Sequence, residues 1–378
     1  MRYARRTGAA LVLTLTAGCG SETILQPRRT MDVRAAAALV PLDPFGIGAK
    51  VPGSRGCNAT EYRQFDFWVG NWHIPGPRGL VATSVIESEL DGCLVEENWK
   101  PIGAPAGRSL NTYDASTGKW HQFWVAATGC PGSVIVMEGG IDENGSMVMQ
   151  GSLSQPLGFL FAQPCLPPGI PPFAVFTRNS YFRWTLLPSG RVFQQFSAGN
   201  DAPAVPPPPP ETGLGGIPYD RVAEVTPVTS STGSFCPFRA AAQQFDFMIG
   251  TWDVHQGNGQ GAQGTTTFSK DLNQCLVEEH FEGPEGYEGM SYNTFDVFTQ
   301  QWMRTYVDND GQRIFMTGGL QNGTMVLVGT KNGSAGRSVL VRITWDPVEP
   351  TRVIQRWEYS RDGGETWQAG TDVVHTKR

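Results

Sequence analysis

The sequence predicts an all-β protein made of two tandem, antiparallel, up-and-down β-barrels of about ten strands each. Three observations lead to this fold class. The second half of the chain repeats the motifs of the first half in the same order. Each half consists of short β-rich runs between turn signals. Nothing of helical period is long enough for the crossover that parallel strand pairing requires.

The composition agrees with this fold and argues against some functions. The chain has 378 residues, a comfortable length for two domains. Charged residues make up only 17%, whereas Gly (46) and Pro (28) are abundant, which suits short strands and turns better than surface helices. The formal net charge of -6 gives no basic footprint, so no nucleic-acid partner is expected.

The N-terminus predicts export. The basic start MRYARR precedes the short apolar run Ala9–Ala17, which indicates a secretory signal and is too short to span a bilayer as a helix. The run ends in TAGC, which resembles the bacterial lipobox, with Thr16 where Leu is usual. The resemblance implies cleavage before Cys19 and lipidation of its sulfur. The open alternative is an ordinary signal peptide that happens to contain a Cys.

This reading predicts a lipoprotein signal peptide at residues 1–18 and a flexible tether at 19–56. We therefore expect the protein in the bacterial cell envelope, lipid-anchored and facing the periplasm or the exterior. The partners expected are the membrane, through that anchor, and a small apolar molecule. A monomer is expected.

The repeat covers both halves of the chain. The stretch QFDFWVGNW, Gln64–Trp72, returns as QFDFMIGTW, Gln244–Trp252. Further matches link 91–97 with 273–279, 109–114 with 291–296, 144–147 with 322–325, and Arg183 and Arg191 with Arg342 and Arg352. The predicted domains are copy one at 57–228, a linker at 229–235 and copy two at 236–378, with an insertion near 155–174 in copy one.

Copy two gives the clearer strand pattern. Asn322-Gly323, like Asn144-Gly145 in copy one, predicts a type I′ hairpin turn, because both central residues need φ > 0. Ala240–Phe247 is a candidate short helix. A closed barrel of this size has no exposed edge, and its interior can hold a small ligand. The predicted strands are Trp252–Gln256, Thr265–Asp271, Leu276–Glu282, Met290–Phe295, Gln301–Asp308, Arg313–Leu320, Thr324–Thr330, Ser338–Trp345, Val353–Tyr359 and Trp367–Thr376.

The start of each copy resembles a known family. The G-x-W at Gly70–Trp72 and at Gly250–Trp252 resembles the motif that begins the first strand of lipocalin-like barrels. In those families the Trp closes one end of the barrel and an Arg from late in the chain packs over it. The resemblance implies this role for Arg183 and Arg342, or for Arg378. The wider pattern is similar to uncharacterised bacterial secreted domains of lipocalin-like fold, which implies no activity.

The cysteine pattern predicts disulfides. Seven Cys are present, and one is assigned to the lipid, which leaves an even six. Export to an oxidising compartment favours bridges. Six Cys allow fifteen pairings, and the repeat symmetry selects among them. The predicted bridges are Cys57–Cys93, Cys236–Cys275 and Cys130–Cys165, the first stabilising the fold by on the order of 3 kcal/mol.

The histidines argue against a shared metal or haem centre. None of the five His is matched by a His in the other copy, so a haem ligand or a catalytic His common to both domains is excluded. No Cys-x-x-Cys pair occurs. No cofactor and no metal are expected.

The best candidates for a functional site are two pairs of Glu. Neighbours on a strand point to opposite faces, so Glu96 and Glu97, or Glu278 and Glu279, cannot flank one substrate bond. We place Glu97 and Glu279 on the inward faces. They serve either structure, paired with Arg183 or Arg342, or ligand contact. The predicted ligand-binding residues are Glu97, Trp99, Ser109, Asn111, Trp120, Trp124, Arg183, Glu279, Phe281, Ser291, Asn293, Trp302, Tyr306 and Arg342.

Two other motifs carry no function in this interpretation. Ser360–Trp367 matches the Asp-box of propeller proteins but occurs once, so we expect a hairpin turn in which Asp362 bonds the loop backbone and Trp367 packs. The proline run that begins at Val205 favours polyproline II and is expected to be a stiff exposed loop rather than a docking ligand.

The leading function is non-catalytic binding of a small, largely apolar molecule by one or both barrels. One alternative is a structural or interaction module of the cell envelope with filled barrels. Another is a hydrolase-type enzyme that uses an interior Glu, although no nucleophile elbow, triad order or other catalytic set is visible. The interior volume discriminates between the first two, and a raised pKa on Glu97 or Glu279 at an open cavity would favour the third.

Overall fold

The chain forms two closed, antiparallel barrels of ten strands, which confirms the predicted fold class. The structure, a computed structural model, describes residues 56–127, 134–156, 175–198, 216–231, 239–257, 262–297, 299–332 and 338–378. Both barrels belong to one compact unit, Leu42–Arg378. No helix within these ranges is long and apolar enough to cross a membrane.

Barrel one is a meander in which each strand pairs with its neighbours in sequence and β1 also pairs with β10. Asn71 of β1 lies opposite Val222 of β10, and this pairing closes the barrel. The strands are β1 Gly70–Gly76, β2 Gly79–Glu89, β3 Leu94–Pro101, β4 Gly107–Asp114, β5 Lys119–Ala126, β6 Val134–Ile141, β7 Met147–Pro156, β8 Val175–Leu186, β9 Val192–Ala198 and β10 Gly216–Val222.

Barrel two repeats this topology and closes where Trp252 of β11 lies opposite Lys377 of β20. All ten strands predicted for copy two are present, and β13 and β15 have the predicted bounds. The strands are β11 Gly250–Gln256, β12 Ala262–Asp271, β13 Leu276–Glu282, β14 Glu288–Asp296, β15 Gln301–Asp308, β16 Arg313–Gln321, β17 Thr324–Asn332, β18 Ser338–Glu349, β19 Arg352–Ser360 and β20 Gln368–Lys377.

One of the two predicted type I′ turns is confirmed and the other is wrong. Asn322 has φ 50° and Gly323 has φ 87°, as a type I′ turn requires. In the corresponding pair of barrel one, Gly145 has positive φ (74°) but Asn144 does not. The reason is Asp142, whose Oδ1 accepts hydrogen bonds from the backbone N–H of Asn144 (3.0 Å) and Ser146 (2.9 Å), and so stabilises a longer loop.

The repeated nonamer closes one end of each barrel. In barrel one it forms the 3₁₀ turn Asp66–Trp68 before β1. The Phe65 ring is fully buried and stacks on Trp68, with 4.8 Å between centroids. Trp72 Nε1 donates to the Trp68 carbonyl at 2.8 Å, and Trp252 Nε1 donates to Met248 at 2.6 Å in barrel two. The two plugs therefore share their geometry.

A late cation does pack over each plug Trp, but it is not one of the predicted arginines. The Arg221 guanidinium lies 4.2 Å from the Trp72 ring, and Lys377 Nζ lies 5.2 Å from the Trp252 ring. Both cations also donate to backbone carbonyls of the plug. These residues lie on the closing strands β10 and β20, which pair with the Trp strand. The predicted arginines instead pair with acids: Arg183 with Asp142, Arg342 with Glu358 and Arg378 with Asp253.

The predicted equivalence of Arg183 and Arg342 is also wrong. Arg183 lies opposite Val148, whereas Arg342 lies opposite Val328. The residue that corresponds to Val148 is Val326, and its partner is Thr344. The sequence match was therefore displaced by two residues along the strand.

The short elements are close to expectation. The helix predicted at 240–247 is shorter, Arg239–Ala242, followed by the 3₁₀ turn Asp246–Met248. The Asp-box is the expected hairpin turn between β19 and β20, in which Asp362 Oδ1 accepts from the Thr366 N–H at 3.0 Å. Arg342 lies 4.2 Å from the Trp367 ring, so this Trp packs as predicted.

The outer faces of the two barrels meet in an apolar cluster that we call the seam. The seam contains Leu94, Leu110, Phe123, Leu276, Met290 and Tyr292, all buried. The predicted Cys57–Cys93 disulfide is present beside it. Gly56 N–H donates to the Asn309 carbonyl of barrel two at 2.7 Å, so the start of the described chain contacts both barrels.

Several predictions lie outside the described residues. Cys19, Cys130, Cys165 and Cys236 belong to this group, as does the proline run. Cys275, the predicted partner of Cys236, is buried. Part of the predicted linker is visible: Gly103 N–H donates to the Thr229 carbonyl at 3.2 Å, which fixes this segment to barrel one. The domain boundaries stay predictions.

Candidate functional site

The interior of barrel one holds a buried acid with a raised pKa. Glu97 is 3% exposed and points inward, as predicted. Its carboxyl accepts hydrogen bonds from Ser84 Oγ (3.1 Å), Ser109 Oγ (3.3 Å) and Tyr219 OH (3.4 Å). Burial raises the pKa of Glu97 to about 7, although these hydrogen bonds act in the opposite direction. No cation lies against it among the described residues. The nearby Gln122 is uncharged, and its Nε2 donates to Asn111 Oδ1 at 2.7 Å.

The interior of barrel two has the same frame with a charged pair. Glu279 Oε2 accepts from Arg304 Nη2 at 2.6 Å and from Ser291 Oγ at 2.8 Å. Arg304 Nη1 also donates to Asn293 Oδ1 at 2.9 Å. Burial acts against the charged form, but the Arg304 charge and these hydrogen bonds hold the pKa of Glu279 below its ordinary value. Arg304 lies opposite Asn293 in the register, as Gln122 lies opposite Asn111.

A histidine completes the interior of barrel two. His375 is 2% exposed, and its Nε2 donates to Gln355 Oε1 at 2.8 Å. Burial lowers the pKa of His375 to about 4, although Glu279 acts in the opposite direction, so the ring is neutral at pH 7. His375 Nδ1 and Arg304 Nε are buried without a hydrogen-bond partner among the described residues. The first is an acceptor and the second a donor.

The cavity in barrel two is small. It is lined by these polar groups and by apolar side chains that include Phe281, Ile314, Met316 and Trp357. Its volume is about 10 Å³, which is room for roughly one water molecule. The structure therefore contains no ligand-sized space at this position.

The predicted interior residues are largely brought together. Ser109, Asn111 and Glu97 contact one another in barrel one, as Ser291, Asn293 and Glu279 do in barrel two. Tyr306 and Phe281 line the cavity of barrel two, and Trp120 and Trp302 pack against the plugs. Trp99 contacts Tyr219, and Trp124 lies over Gly107, both only partly buried. Arg183 and Arg342 do not join either network, and the predicted ion pairs of Glu97 or Glu279 with them are wrong.

Sequence reasoning missed four interior positions. Gln122 and Arg304 lie between two predicted aromatic residues on β5 and β15, so the period-two pattern already contained them. Tyr219 and His375 precede the plug cations by two residues on the closing strands. Gln122 corresponds to Arg304, and Tyr219 corresponds to His375. Because the residue type differs between the copies at both positions, matching identical residues did not reveal the equivalence.

The outward Glu of each pair lies between the two barrels, beside the seam. Arg108 of barrel one forms ion pairs with Glu96 of its own barrel and with Glu278 of barrel two, the latter at 2.5 Å. Tyr292 of barrel two donates to Glu96. Arg108 is 13% exposed at its side chain, so this contact is largely desolvated. The Glu-Glu motif therefore places one carboxyl inside each barrel and the other between the barrels.

A groove opens between the barrels beside the seam. It has a volume of about 480 Å³ and is lined from barrel one by Asp114, His121 and Glu138, and from barrel two by Arg313, Phe315 and Thr317, among others. We call it the inter-barrel groove. Burial, assisted by the Arg313 charge, lowers the pKa of His121 to about 4, so this ring is neutral at pH 7.

Metal chemistry receives no support from the described residues. Within them, no group of three or more His, Cys, Asp or Glu side chains is placed so that it could hold a metal ion.

The comparisons with known proteins add little. No protein-family model and no curated protein matches the chain. Among solved structures, a protein of unknown function from the DUF3598 family of Nostoc punctiforme is similar, with 11% identity over 85% of this chain and 100% of that chain, and a TM-score of 0.17. Similarity at this level carries no argument about function, and the barrels are defined by their own strand pairing.

Proposed function

We propose that the protein is a non-catalytic, small-molecule-binding protein of the bacterial cell envelope, in which two filled, lipocalin-like barrels act as a scaffold and the ligand binds between them. One contrast carries this proposal. The cavity of barrel two measures about 10 Å³, whereas the inter-barrel groove measures about 480 Å³. Small-molecule sites occupy about 300–1,000 Å³ and favour interfaces between domains.

The barrel interiors are better explained as cores than as carriers. In barrel one, Trp68, Trp72, Trp120 and Trp184 are at most 1% exposed. Glu97 has the raised pKa that an acid catalyst needs, but its carboxyl is enclosed by the three side chains that bond it. A general acid must reach the substrate atom that it protonates, so we do not propose an enzyme.

The envelope location rests on the N-terminal sequence. The lipobox resemblance supports lipidation of Cys19 and attachment through the segment that follows it. Growth with radiolabelled palmitate tests this: the wild-type chain should incorporate label and Cys19→Ser should not. Equal labelling of both, or of neither, contradicts the anchor.

Native mass spectrometry of the full exported chain, purified from its own envelope, tests the binding site. Thr317 lines the inter-barrel groove from β16, and Thr317→Trp would fill the space. His375→Leu is the matched control, because it alters the cavity of barrel two and leaves the groove intact. We expect an excess mass on the wild type that is kept in His375→Leu and lost in Thr317→Trp.

A second candidate site is the cavity of barrel two, where two buried polar atoms have no hydrogen-bond partner among the described residues. A molecule with a hydroxyl group could accept from Arg304 Nε and donate to His375 Nδ1, provided that it displaces lining side chains. This candidate predicts the reverse pattern, with the excess mass lost in His375→Leu and kept in Thr317→Trp. A bare wild-type mass would overturn both candidates and favour the filled-barrel interaction module.

A further inference from the structure

Arg313 is unlike every other arginine whose side chain the structure describes as buried or half-buried. Arg108, Arg183, Arg191, Arg304, Arg342 and Arg356 each form an ion pair with a carboxylate. Arg313 is half-buried at the start of β16, where its backbone lies opposite Val307, and its guanidinium makes no ion pair or hydrogen bond with any described residue. Its guanidinium lies 5.8 Å from the Phe315 ring and borders the inter-barrel groove.

The acids near Arg313 are engaged elsewhere. Asp114 Oδ1 accepts from the Ser116 N–H at 2.9 Å and from the Ser116 hydroxyl. Glu138 is paired with Lys119, and the hydrogen bond from this Lys holds the pKa of Glu138 below its ordinary value. Burial lowers the pKa of Arg313 to about 10, which leaves it charged at pH 7. A desolvated cation without a partner is costly to the fold, so its five N–H donors are available for a ligand.

The rest of the groove defines the ligand's body. Val136, Met137, Phe315 and Val328 supply apolar surface next to the guanidinium. The planar fork of an arginine matches a carboxylate, which it binds through two parallel hydrogen bonds. We propose that the inter-barrel groove binds a small carboxylate with an apolar body, whose carboxylate is held by Arg313 and whose body lies against Phe315. This inference rests on the proposed function and names its ligand class.

The other cleft between the barrels shows why the assignment is specific to this groove. It measures about 320 Å³ and is lined by Glu89, Glu96, Glu278, Glu282 and Glu288. Its only described arginine, Arg108, is already bound by carboxylates of both barrels. An anion there would meet five carboxylates, whereas the inter-barrel groove has two, Asp114 and Glu138, beside an arginine that no carboxylate of the described residues pairs with.

Isothermal titration calorimetry with sodium hexanoate at pH 7 and low salt tests the proposal on the full exported chain. Hexanol has the same tail without the charge, and sodium phosphate is an anion without the tail. We expect hexanoate to bind at least tenfold more tightly than either, because charge-assisted hydrogen bonds to a guanidinium would be lost with hexanol and the apolar contact with phosphate. Phosphate binding as tightly as hexanoate would overturn the assignment of an apolar body.

Three variants localise the effect. Arg313→Met should weaken hexanoate binding at least tenfold and leave hexanol unchanged, and Thr317→Trp should weaken both. Arg191→Met, which removes a paired arginine beside β9, a strand that contributes no lining residue to the groove, should change neither. Equal hexanoate affinity in Arg313→Met and wild type overturns the proposal.

The location of the ligand site and the class of its ligand are tested separately. If wild type binds no hexanoate but Thr317→Trp loses the native excess mass, the groove is a ligand site and the carboxylate assignment is wrong. If the native mass is lost only in His375→Leu, the proposed site itself is wrong.

Discussion

The two barrels differ most at one interior position, on the strand that faces the inward Glu. Barrel one has Gln122 there and barrel two has Arg304, while the Ser and Asn that surround the carboxyl are the same in both. Burial alone raises the pKa of Glu97 to about 7, whereas Arg304 reverses the shift at Glu279. The comparison links the direction of the pKa shift of the buried acid to the presence of the Arg304 charge.

The largest expected effect comes from breaking the charged pair. Glu279→Gln leaves the Arg304 guanidinium buried without its counter-charge, so barrel two should lose about 3–5 kcal/mol of unfolding free energy. Glu97→Gln removes no partner and should cost about 1 kcal/mol or less at pH 5. Hydrogen exchange of amides in each barrel during urea denaturation measures the two effects separately.

A double variant provides the control for this experiment. Glu279→Gln combined with Arg304→Gln removes both charges of the pair, so it should be more stable than Glu279→Gln alone. If the double variant loses as much stability as the two single changes added together, the pair is not coupled and the comparison fails.

The next effect is a pH dependence that Glu97 gives to barrel one. The folded pKa of Glu97 is raised from 4.5 to about 7, so its contribution is fully present below pH 4.5 and is lost as pH rises through 7. We expect wild-type barrel one to lose up to about 3 kcal/mol between pH 4.5 and 8 that Glu97→Gln retains. Urea midpoints at both pH values, compared between the two chains, measure this. Parallel pH profiles would show that Glu97 is not the titrating group.

A smaller effect compares the two plug glycines. Gly70 has φ 143° and Gly250 has φ 128°, conformations that L residues rarely adopt. A Cβ at Gly70 would overlap the Arg221 guanidinium, whereas a Cβ at Gly250 would lie 2.9 Å from the flexible Lys377 Cε. Replacement by Ala should cost about 1–3 kcal/mol at either site and more at Gly70. Thermal unfolding of Gly70→Ala and Gly250→Ala gives the order, and the reverse order would contradict the role of Arg221.

The smallest effect concerns the plug cations themselves. Arg221 donates to the carbonyls of Val69 (2.7 Å) and Phe67 (2.9 Å), while Lys377 donates to Ile249 alone (2.9 Å). Arg221→Met should therefore cost about 1–2 kcal/mol and Lys377→Met about 0.5–1 kcal/mol. Differential scanning calorimetry at high and low salt checks both. A loss that is equal in the two variants would mean that the ring contact, not the carbonyl contact, dominates.

Local patterns predicted the strands of copy two but left open which Glu of each pair faces inward, and the choice of Glu97 and Glu279 rested on the aromatic residues of the same face. Alternation has a period of two, so Glu97 and Glu279 had to share a face with Trp99 and Phe281, and the structure confirms this orientation. The same alternation placed Glu96 and Glu278 outward. It could not show that the outward faces are buried against each other, because nothing in one strand records what covers its outer surface.

The plug cations were missed for a different reason. The lipocalin-like resemblance asks for a late Arg, and the prediction rested on the repeated Arg183 and Arg342, or on Arg378. The true pair, Arg221 and Lys377, keeps its charge but not its identity. The type I′ turn predicted at Asn144 was wrong because Asp142, two residues earlier, supplies a hydrogen-bond acceptor that Asn-Gly statistics do not consider.

The position of Gly56 has a mechanical consequence. Its N–H is bonded to Asn309 of barrel two, and the neighbouring Cys57 is bonded covalently to Cys93 of barrel one. A force applied to the chain at this point would be shared between a covalent link in one barrel and a hydrogen bond at the edge of the other. Such a pull would therefore reach both barrels at once and would not act on β1 alone.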